Sequence, residues 1–340
     1  MCRRHVAQFG ASVFVIRQQG FTLLLDAGDS APSHWRLDEH KSEIHLVSLG
    51  AQVVRTEELL AMLAATFDLH PLVTRLVLVP AGLAACLPQD LLLSCSGLQA
   101  SVDRDIFWQL PAPWLPRVPS PQPLQYTERA GSRHPIRPPK PQGQFYQRHI
   151  RWLDAQFSLR GADIESDLPA FHRWMNDPVV SHFWEEQGNL KHHRDYLERT
   201  AADPHTLGMI ACLDGEPFAY LEAYWAKEDR IAPFYDAGDH DRGWHALVGE
   251  ARFRGRPFIT AWLPSLSHYL FLDDCRTQRI VVEPRVDNHK MRHSLPRCGY
   301  VLLKEFDFPH KRAVLGMLTR ERFFKQAIWI PQSGSDSPAT

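Results

Sequence analysis

The sequence predicts an α/β protein in two parts: a smaller α/β domain, then a larger one in which strands and helices take turns. Three observations carry that expectation. Ten of the 26 prolines fall between Pro111 and Pro141, and a stretch so poor in backbone donors runs extended rather than forming a core. After it, short apolar runs with strand-like alternation take turns with segments of helical period. Before it, four strand-like runs surround one helical segment. The chain therefore divides into an N-terminal domain at 1–110, a proline-rich linker at 111–146, a second domain at 147–328 and a flexible tail at 329–340. The N-terminal domain shows no chemical motif and is expected to be structural or to form a dimer contact.

In the first half, residues 13–16, 22–25, 44–49 and 72–79 read as short buried strands, and 55–67 as a helix with leucines and alanines at helical spacing. The stretch 90–93 is ambiguous. The second half opens with a strand at 153–160 and a helix at 163–176. Ser166 or Asp167 is placed to cap that helix, and Asn176-Asp177-Pro178 stops it. A second helix follows at 190–200. Residues 206–213 and 216–225 form a hairpin around Asp214-Gly215, a strong two-residue turn signal. A strand at 244–249 leads through a turn at 252–257 into a helix from about 257 to 272. That helix carries Phe258, Ile259, Trp262, Leu263, Leu266, Tyr269 and Leu270 on one broad face. The remainder reads as a strand at 279–282, a helix at 288–297 ended by Gly299, and two strands at 301–308 and 313–318.

Composition narrows the function classes. Lys plus Arg number 38 against 39 Asp plus Glu, a balance that calls for neither nucleic acid nor an anionic membrane as partner. The apolar runs are too short to span a bilayer, and Met1-Cys2-Arg3-Arg4-His5 is not followed by an apolar signal core. Six cysteines without close pairing make no disulfide framework, so the expected compartment is the reducing cytoplasm.

The chemistry gathers in two motifs. Asp241-Arg242-Gly243-Trp244-His245 precedes Glu283-Pro284-Arg285-Val286-Asp287-Asn288, with Glu283 38 residues after His245. Together they supply a proton acceptor and substrate-orienting groups. Taken alone, a histidine on a strand is more often a packed residue, Asp287 is as readily a helix cap, and Arg285 as readily a partner of Asp287. Between them, Arg252-Phe253-Arg254-Gly255-Arg256-Pro257 opens a helix. Its unpaired N–H groups and helix dipole suit a pyrophosphate, and Gly255 lets the backbone approach closely. His289 and His293 stand four apart on a helix, as zinc ligands can, but with no third ligand they read as a solvated face, and no metal is expected.

The order strand, two helices, hairpin, strand, helix, strand, helix, strand, strand resembles the GNAT N-acetyltransferase fold, which implies a mixed, mostly antiparallel sheet flanked by helices. The motifs resemble those of the acyltransferases that acylate N-hydroxylysine or N-hydroxyornithine in hydroxamate siderophore synthesis. Gly243-Trp244-His245 fits their Gly-x-His, Glu283-Pro284 their acidic residue before proline (with Glu for Asp), Tyr220 to Trp225 their Tyr-x-Glu-x-Tyr-Trp strand, and Phe308-Pro309-His310-Lys311 their Phe-Pro-His-Lys segment. The similarity covers roughly residues 150–325, and the N-terminal half is left open as a degenerate second copy of the same fold.

The resemblance implies acetyl-CoA or another acyl-CoA as co-substrate and a hydroxamate as product. It assigns Glu283 as proton acceptor and His245 as the contact to the hydroxylamine. Glu222, Arg285, Asp287 and Asn288 then bind the amino-acid substrate. Leu247, Val248, Gly249, Arg252, Arg254, Gly255, Asn288 and Lys311 hold the coenzyme, although Pro257 departs from the family's third small residue. A homodimer and association with a siderophore synthetase are expected partners. An aminoglycoside-type N-acetyltransferase and a non-catalytic scaffold that docks such a synthetase are the alternatives.

Overall fold

The computed structural model describes residues 3–331 except 11, 29–30, 51–53, 89–90, 92–93, 97–98, 120–122 and 130. Two compact units emerge, one of Met1–Val118 with Tyr146–Phe157, the other of Pro119–Phe145 with Ser158–Thr340.

The first sheet starts with five strands, β1 (Arg3–Phe9), β2 (Ser12–Gln19), β3 (Thr22–Asp26), β4 (Ser33–His40) and β5 (Glu43–Ser48). Helix α1 (Thr56–Leu69) leads to β6 (Arg75–Val79), then β7 (Ser94–Ser96), β8 (Gln99–Asp103) and the short α2 (Arg104–Phe107). Strand order is β1-β2-β3-β4-β5-β6-β8-β7, with β5 and β6 parallel. Alternation writes this sheet: Phe14 and Ile16, Leu23 and Leu25, Trp35 and Leu37, and Ile44 and Leu46 are all buried on one face. Helix α1 buries nearly every residue from Leu59 to Leu69, so it is a core helix rather than an amphipathic one. Strands β1 and β4 escape the sequence reading because their charged and polar residues dilute the apolar period. Leu72, expected in a strand, is exposed in the turn before β6. The ambiguous stretch 90–93 lies largely outside the described residues.

Within the proline-rich stretch, β9 (Tyr126–Arg129) and β10 (Ser132–Pro135) form a small antiparallel hairpin. The second eight-stranded sheet contains β11 (Gln144–Ile150), β12 (Ala155–Gly161), β13 (Thr206–Leu213), β14 (Glu216–Trp225), β15 (Arg242–Val248), β16 (Arg279–Val282), β17 (Val301–Asp307) and β18 (Arg312–Thr319). Its order is β11-β12-β13-β14-β15-β16-β18-β17. Helices α3 (Ile164–Met175), α4 (Pro178–Trp184) and α5 (Leu190–Ala202) lie in sequence between β12 and β13. Helix α6 (Arg256–Asp273) links β15 to β16, α7 (His289–Arg297) precedes β17, and α8 (Arg320–Lys325) closes the described fold. This is the expected architecture, a mixed sheet flanked by helices and preceded by a smaller α/β region.

Details differ from the sequence expectation for local reasons. The cap of α3 is Asp163, whose Oδ1 accepts from the Ser166 N–H at 2.8 Å. Asp167 instead turns to Arg160, at 2.6 and 2.7 Å. Pro178 stops α3 but also starts α4, as proline at a first helical turn can. Helix α6 is buried on all sides from Ala261 to Leu272, Ser265, Ser267 and His268 included, while Phe258 and Ile259 are only half-buried. Of the expected tail, Trp329 is buried, and 332–340 lie outside the described residues.

One feature of the second sheet positions everything that follows. Strands β15 and β16 run parallel but pair only at Arg242–Ile280 and Gly243–Val281. From His245 onward they diverge, leaving one edge of β15 unpaired with β16.

Candidate active site

The site forms where β15 leaves β16. Antiparallel register sets Glu222 of β14 directly opposite His245 of β15, so period-two alternation brings Tyr220, Glu222 and Tyr224 to one face. His245 Nδ1 lies 3.2 Å from Glu222 Oε2 and its Nε2 lies 2.7 Å from Glu283 Oε1, which bridges the diverging strands through the imidazole. Both carboxylates are otherwise satisfied. Tyr196 on α5 and Tyr220 donate to Glu222 Oε1 at 2.7 and 3.0 Å, and Tyr224 donates to Glu283 Oε2 at 2.6 Å. Lys311 Nζ donates to the Glu283 carbonyl at 2.9 Å and sits 3.7 Å from its Oε1.

Gly243 makes this arrangement possible. A Cβ there would lie 2.2 Å from the Tyr224 ring, so only glycine lets that phenol cross β15 toward Glu283. Gly208 likewise leaves room for the Tyr220 hydroxyl, which a Cβ would approach to 3.0 Å.

The electrostatics lock the histidine. Burial opposes its charge, but Glu283 and Glu222 outweigh it and push the imidazole up to about 10. Burial would raise Glu283, yet the imidazolium, Lys311 and Tyr224 hold it down at about 2. Glu222 is likewise held below the usual carboxylate range against its burial, by His245 and the two tyrosines. At neutral pH the centre is therefore carboxylate–imidazolium–carboxylate.

Around it lies a cavity of about 640 Å³. Its wall includes six acidic side chains, Glu185, Glu186, Glu222, Glu228, Asp229 and Glu283, and most of them are already engaged by other side chains. Glu185 pairs with Arg285 at 2.6 Å, Glu186 with His192 at 2.8 Å, and Glu228 with Arg137 at 2.5 Å. The cavity is thus less acidic than a count suggests.

The structure brings His245, Glu283, Glu222, Arg285, Asn288 and Lys311 to this cavity. It places several of them in roles other than those expected. Glu222 is saturated by its protein partners. Arg285 is paired with Asp287 at 2.8 Å as well as with Glu185. Asn288, not Asp287, caps α7, accepting from the Met291 N–H at 3.1 Å. Lys311 reaches Glu283 rather than the 247–257 turn. Tyr196, Tyr224, Asp229 and Arg230 were not singled out from sequence as site residues. The Tyr220-x-Glu222-x-Tyr224 alternation carried a signal for one of them, whereas Tyr196 sits on a helix far along the chain.

The second part of the site is the turn after β15. Leu247 is buried against Trp174, and a Cβ on Gly249 would collide with the same indole. Arg254 donates to the Val248 and Gly249 carbonyls at 2.9 and 3.0 Å, folding the turn back on the strand. Gly255, at φ +113°, enters α6 with no side-chain cap, and Pro257 stands in the first turn. Arg252 is occupied by Glu216.

His289 and His293 are exposed on α7. Two other groups of imidazoles and carboxylates lie close together, His5, Asp68 and His149, and His134, His205 and Glu228. The second is filled by the guanidinium of Arg137, whose permanent charge opposes a metal ion.

A splayed parallel strand pair with an acid–imidazole centre in its gap suits an acyltransferase. The model of an acetyltransferase (GNAT) domain matches residues 163–308. An N(6)-hydroxylysine O-acetyltransferase of Escherichia coli is 42% identical over 241 residues, spanning 70% of this chain and 76% of that protein. An N(5)-hydroxyornithine:cis-anhydromevalonyl coenzyme A-N(5)-transacylase, SIDF, of Beauveria bassiana is 47% identical over 199 residues, or 57% of this chain and 44% of that one. A solved structure of an uncharacterized protein from Bacillus halodurans shares the fold at TM-score 0.52 and 29% identity, over 55% of this chain and 94% of that one. The chain belongs to the GNAT acyltransferases, in the family of the hydroxamate-siderophore acyltransferases. It takes its acyl group from acyl-CoA.

Proposed function

We propose that this enzyme transfers an acyl group, acetyl in the simplest case, to the hydroxylamine nitrogen of N6-hydroxylysine or N5-hydroxyornithine, giving a hydroxamate. The observation that carries this reading is the imidazolium clamped between Glu222 and Glu283. With its imidazole held charged between two carboxylates, the centre offers no neutral histidine to take a proton from an ordinary alkylammonium. Lysine itself, with a side-chain pKa of about 10.4, would arrive protonated. An N-hydroxylated amine is far less basic, arrives neutral and attacks once positioned.

In this reading the nitrogen lone pair forms the new C–N bond as the thioester C–S bond breaks. The nitrogen's proton, acidified by acylation, passes to Glu283 as coenzyme A leaves as its thiolate, and the same proton then goes on to the sulfur, which restores the carboxylate and gives the thiol. His245 and Tyr224 hold the Glu283 carboxylate in place. Backbone N–H groups on the unpaired edge of β15 stabilise the oxyanion that develops at the carbonyl. No covalent acyl-enzyme is needed, and the cysteines keep no catalytic role. The reaction belongs where acyl-CoA is made, in the cytoplasm. The same reading carries a homodimer and a handover to the synthetase that consumes the hydroxamate.

The test is thiol release from acetyl-CoA with N6-hydroxylysine, N5-hydroxyornithine, lysine and an aminoglycoside offered in parallel. Turnover with one or both hydroxylated amino acids and not with lysine is expected. Turnover with the aminoglycoside alone would replace this reading.

A further inference from the structure

Beyond the reacting centre, the cavity wall leaves two adjacent charges available, Asp229 and Arg230. The loop that carries them is fixed rather than loose. Glu228, one residue earlier, is gripped by both arms of Arg137 at 2.5 and 2.6 Å, and Arg137 Nη1 also donates to the Asp239 carbonyl at 2.7 Å. The Arg137 guanidinium lies over the Trp225 ring, 4.2 Å from its centroid, and Lys227 Nζ donates to the Ala237 carbonyl at 2.8 Å. The loop is thus nailed on both sides of the two charges.

Among the described residues Asp229 makes no salt bridge, and Arg230 makes only a loose one, to Glu283. Asp229 uses one oxygen to accept from the Ile231 N–H at 3.0 Å, and its other oxygen has no hydrogen-bond partner. Burial and the neighbouring Glu283 push its carboxyl up, the signature of an acid in want of a cation. Arg230 is half-exposed. Its guanidinium makes no hydrogen bond among the described residues; it stands 3.7 Å from Glu283 Oε1 and 5.5 Å from the Phe308 ring centroid. Among the described residues the other charged groups on the cavity wall are held more closely, Glu186 by His192, Glu185 by Arg285, Glu228 by Arg137, Glu283 by His245 and Lys311 by the Glu283 carbonyl.

We infer that Asp229 and Arg230 form a zwitterion reader, Asp229 taking the α-ammonium and Arg230 the α-carboxylate of a free amino-acid acceptor, so that the enzyme selects N-hydroxy amino acids over N-hydroxy diamines. This rests on the acceptor class proposed above and adds to it the head group at the far end of the side chain. A fixed anion beside a fixed cation complements an amino acid, whereas a diamine would leave the guanidinium facing a hydrocarbon end. A site that binds a polar group in this way rejects an analogue lacking it, because its own group is then left unpaired.

Three acceptors separate the contributions in the full-length enzyme: N6-hydroxylysine, N-hydroxycadaverine (no carboxylate) and 6-(hydroxyamino)hexanoate (no ammonium). Wild-type kcat/KM is expected to be about 10- to 100-fold higher for N6-hydroxylysine than for either analogue, the range of one charge-assisted contact. Arg230→Ala should bring the ratio of kcat/KM for N6-hydroxylysine over N-hydroxycadaverine down to about one, and an unchanged thermal shift with acetyl-CoA shows that the variant is folded. Asp229→Asn should lower N6-hydroxylysine and N-hydroxycadaverine but spare 6-(hydroxyamino)hexanoate. Equal wild-type rates on all three acceptors, or an equal loss on all three in either variant, would overturn the inference while leaving the acyl-transfer reading intact. Wild-type silence on every N-hydroxylamine, with turnover of another amine, would overturn the reading beneath it.

Discussion

The two eight-stranded sheets of this chain list their strands in the same order, first to sixth and then eighth before seventh, with the fifth and sixth parallel in each. They part company at that parallel pair. In the first sheet β5 and β6 stay paired from Glu43–Arg75 to Val47–Val79, and the buried Leu46 and Leu78 sit opposite each other on the ladder. In the second, β15 and β16 separate after Gly243–Val281, and the gap is filled by His245 and Glu283 at 2.7 Å. The insertion between second and third strands differs as well. It is a tight turn from Gln19 to Thr22 in the first sheet and three helices, α3 to α5, in the second, which supply Trp184 and Tyr196 to the cavity. The shared order supports the view that the first half is a reduced copy of the second. A topology does not make a site. A splayed strand pair, charged groups to hold it open and helices to wall it do.

If the charged bridge is what distinguishes the open pair, breaking it should have the largest effect. Glu283→Gln is expected to lower kcat by about 10²-fold or more, the usual weight of a positioned acid–base group, while acetyl-CoA still raises the melting temperature as in the wild type. Removing one partner of a buried pair also costs about 3–5 kcal/mol, and that cost has a pH signature. Folded His245 titrates near 10 against an ordinary 6.5, so its contribution is full below 6.5 and lost as pH rises through 10. Folded Glu283 titrates near 2 against 4.5, so its contribution is full above 4.5 and lost as pH falls through 2. The stability gap between wild type and variant, read by denaturant titration, should therefore be widest between pH 4.5 and 6.5. A gap independent of pH would mean the bridge is not ionic, and unchanged turnover would remove Glu283 from the mechanism.

Gly243→Ala tests the same opening by sterics. Its Cβ would meet the Tyr224 ring at 2.2 Å, forcing the phenol away from Glu283. Overpacking of this kind costs about 1–3 kcal/mol, and loss of one hydrogen bond to a charged group accounts for about a tenfold drop in turnover. Melting temperature and thiol release together check it. A variant with wild-type values for both would mean that Tyr224 does not set the carboxylate.

Much of the second sheet was legible because its strands alternate cleanly and its turns carry strong residues: Asp214-Gly215 fixed the 206–225 hairpin to the residue, and 279–282 matched β16. The pairing of His245 with Glu283 was legible only through resemblance, since no spacing rule brings residues 38 apart to 2.7 Å. Side-chain roles were the weakest part. Lys311 looked like a phosphate ligand because sequence shows its charge but not the Glu283 carbonyl that holds it. Asp287 looked like a cap because Asp and Asn are near-equals there, and the choice of Asn288 depends on backbone direction. Asp229 and Arg230 carried no signal because their place on the cavity wall is a fact only the fold supplies.

The smallest expected effect sharpens the comparison from the silent side. His45 of β5 belongs to the first sheet's parallel pair, opposite Val77, as His245 belongs to β15 in the second. Its imidazole is partly exposed and its carboxylate partner, Glu43, lies two residues away at 3.5 Å, a loose surface pair rather than a buried bridge. His45→Ala should therefore leave kcat and KM within about twofold and change stability by no more than about 0.5 kcal/mol, as for other surface positions. A tenfold loss of turnover from that substitution would show that the closed sheet is coupled to the chemistry. It would then count as more than a framework, although its own strands leave no gap in which a substrate can sit.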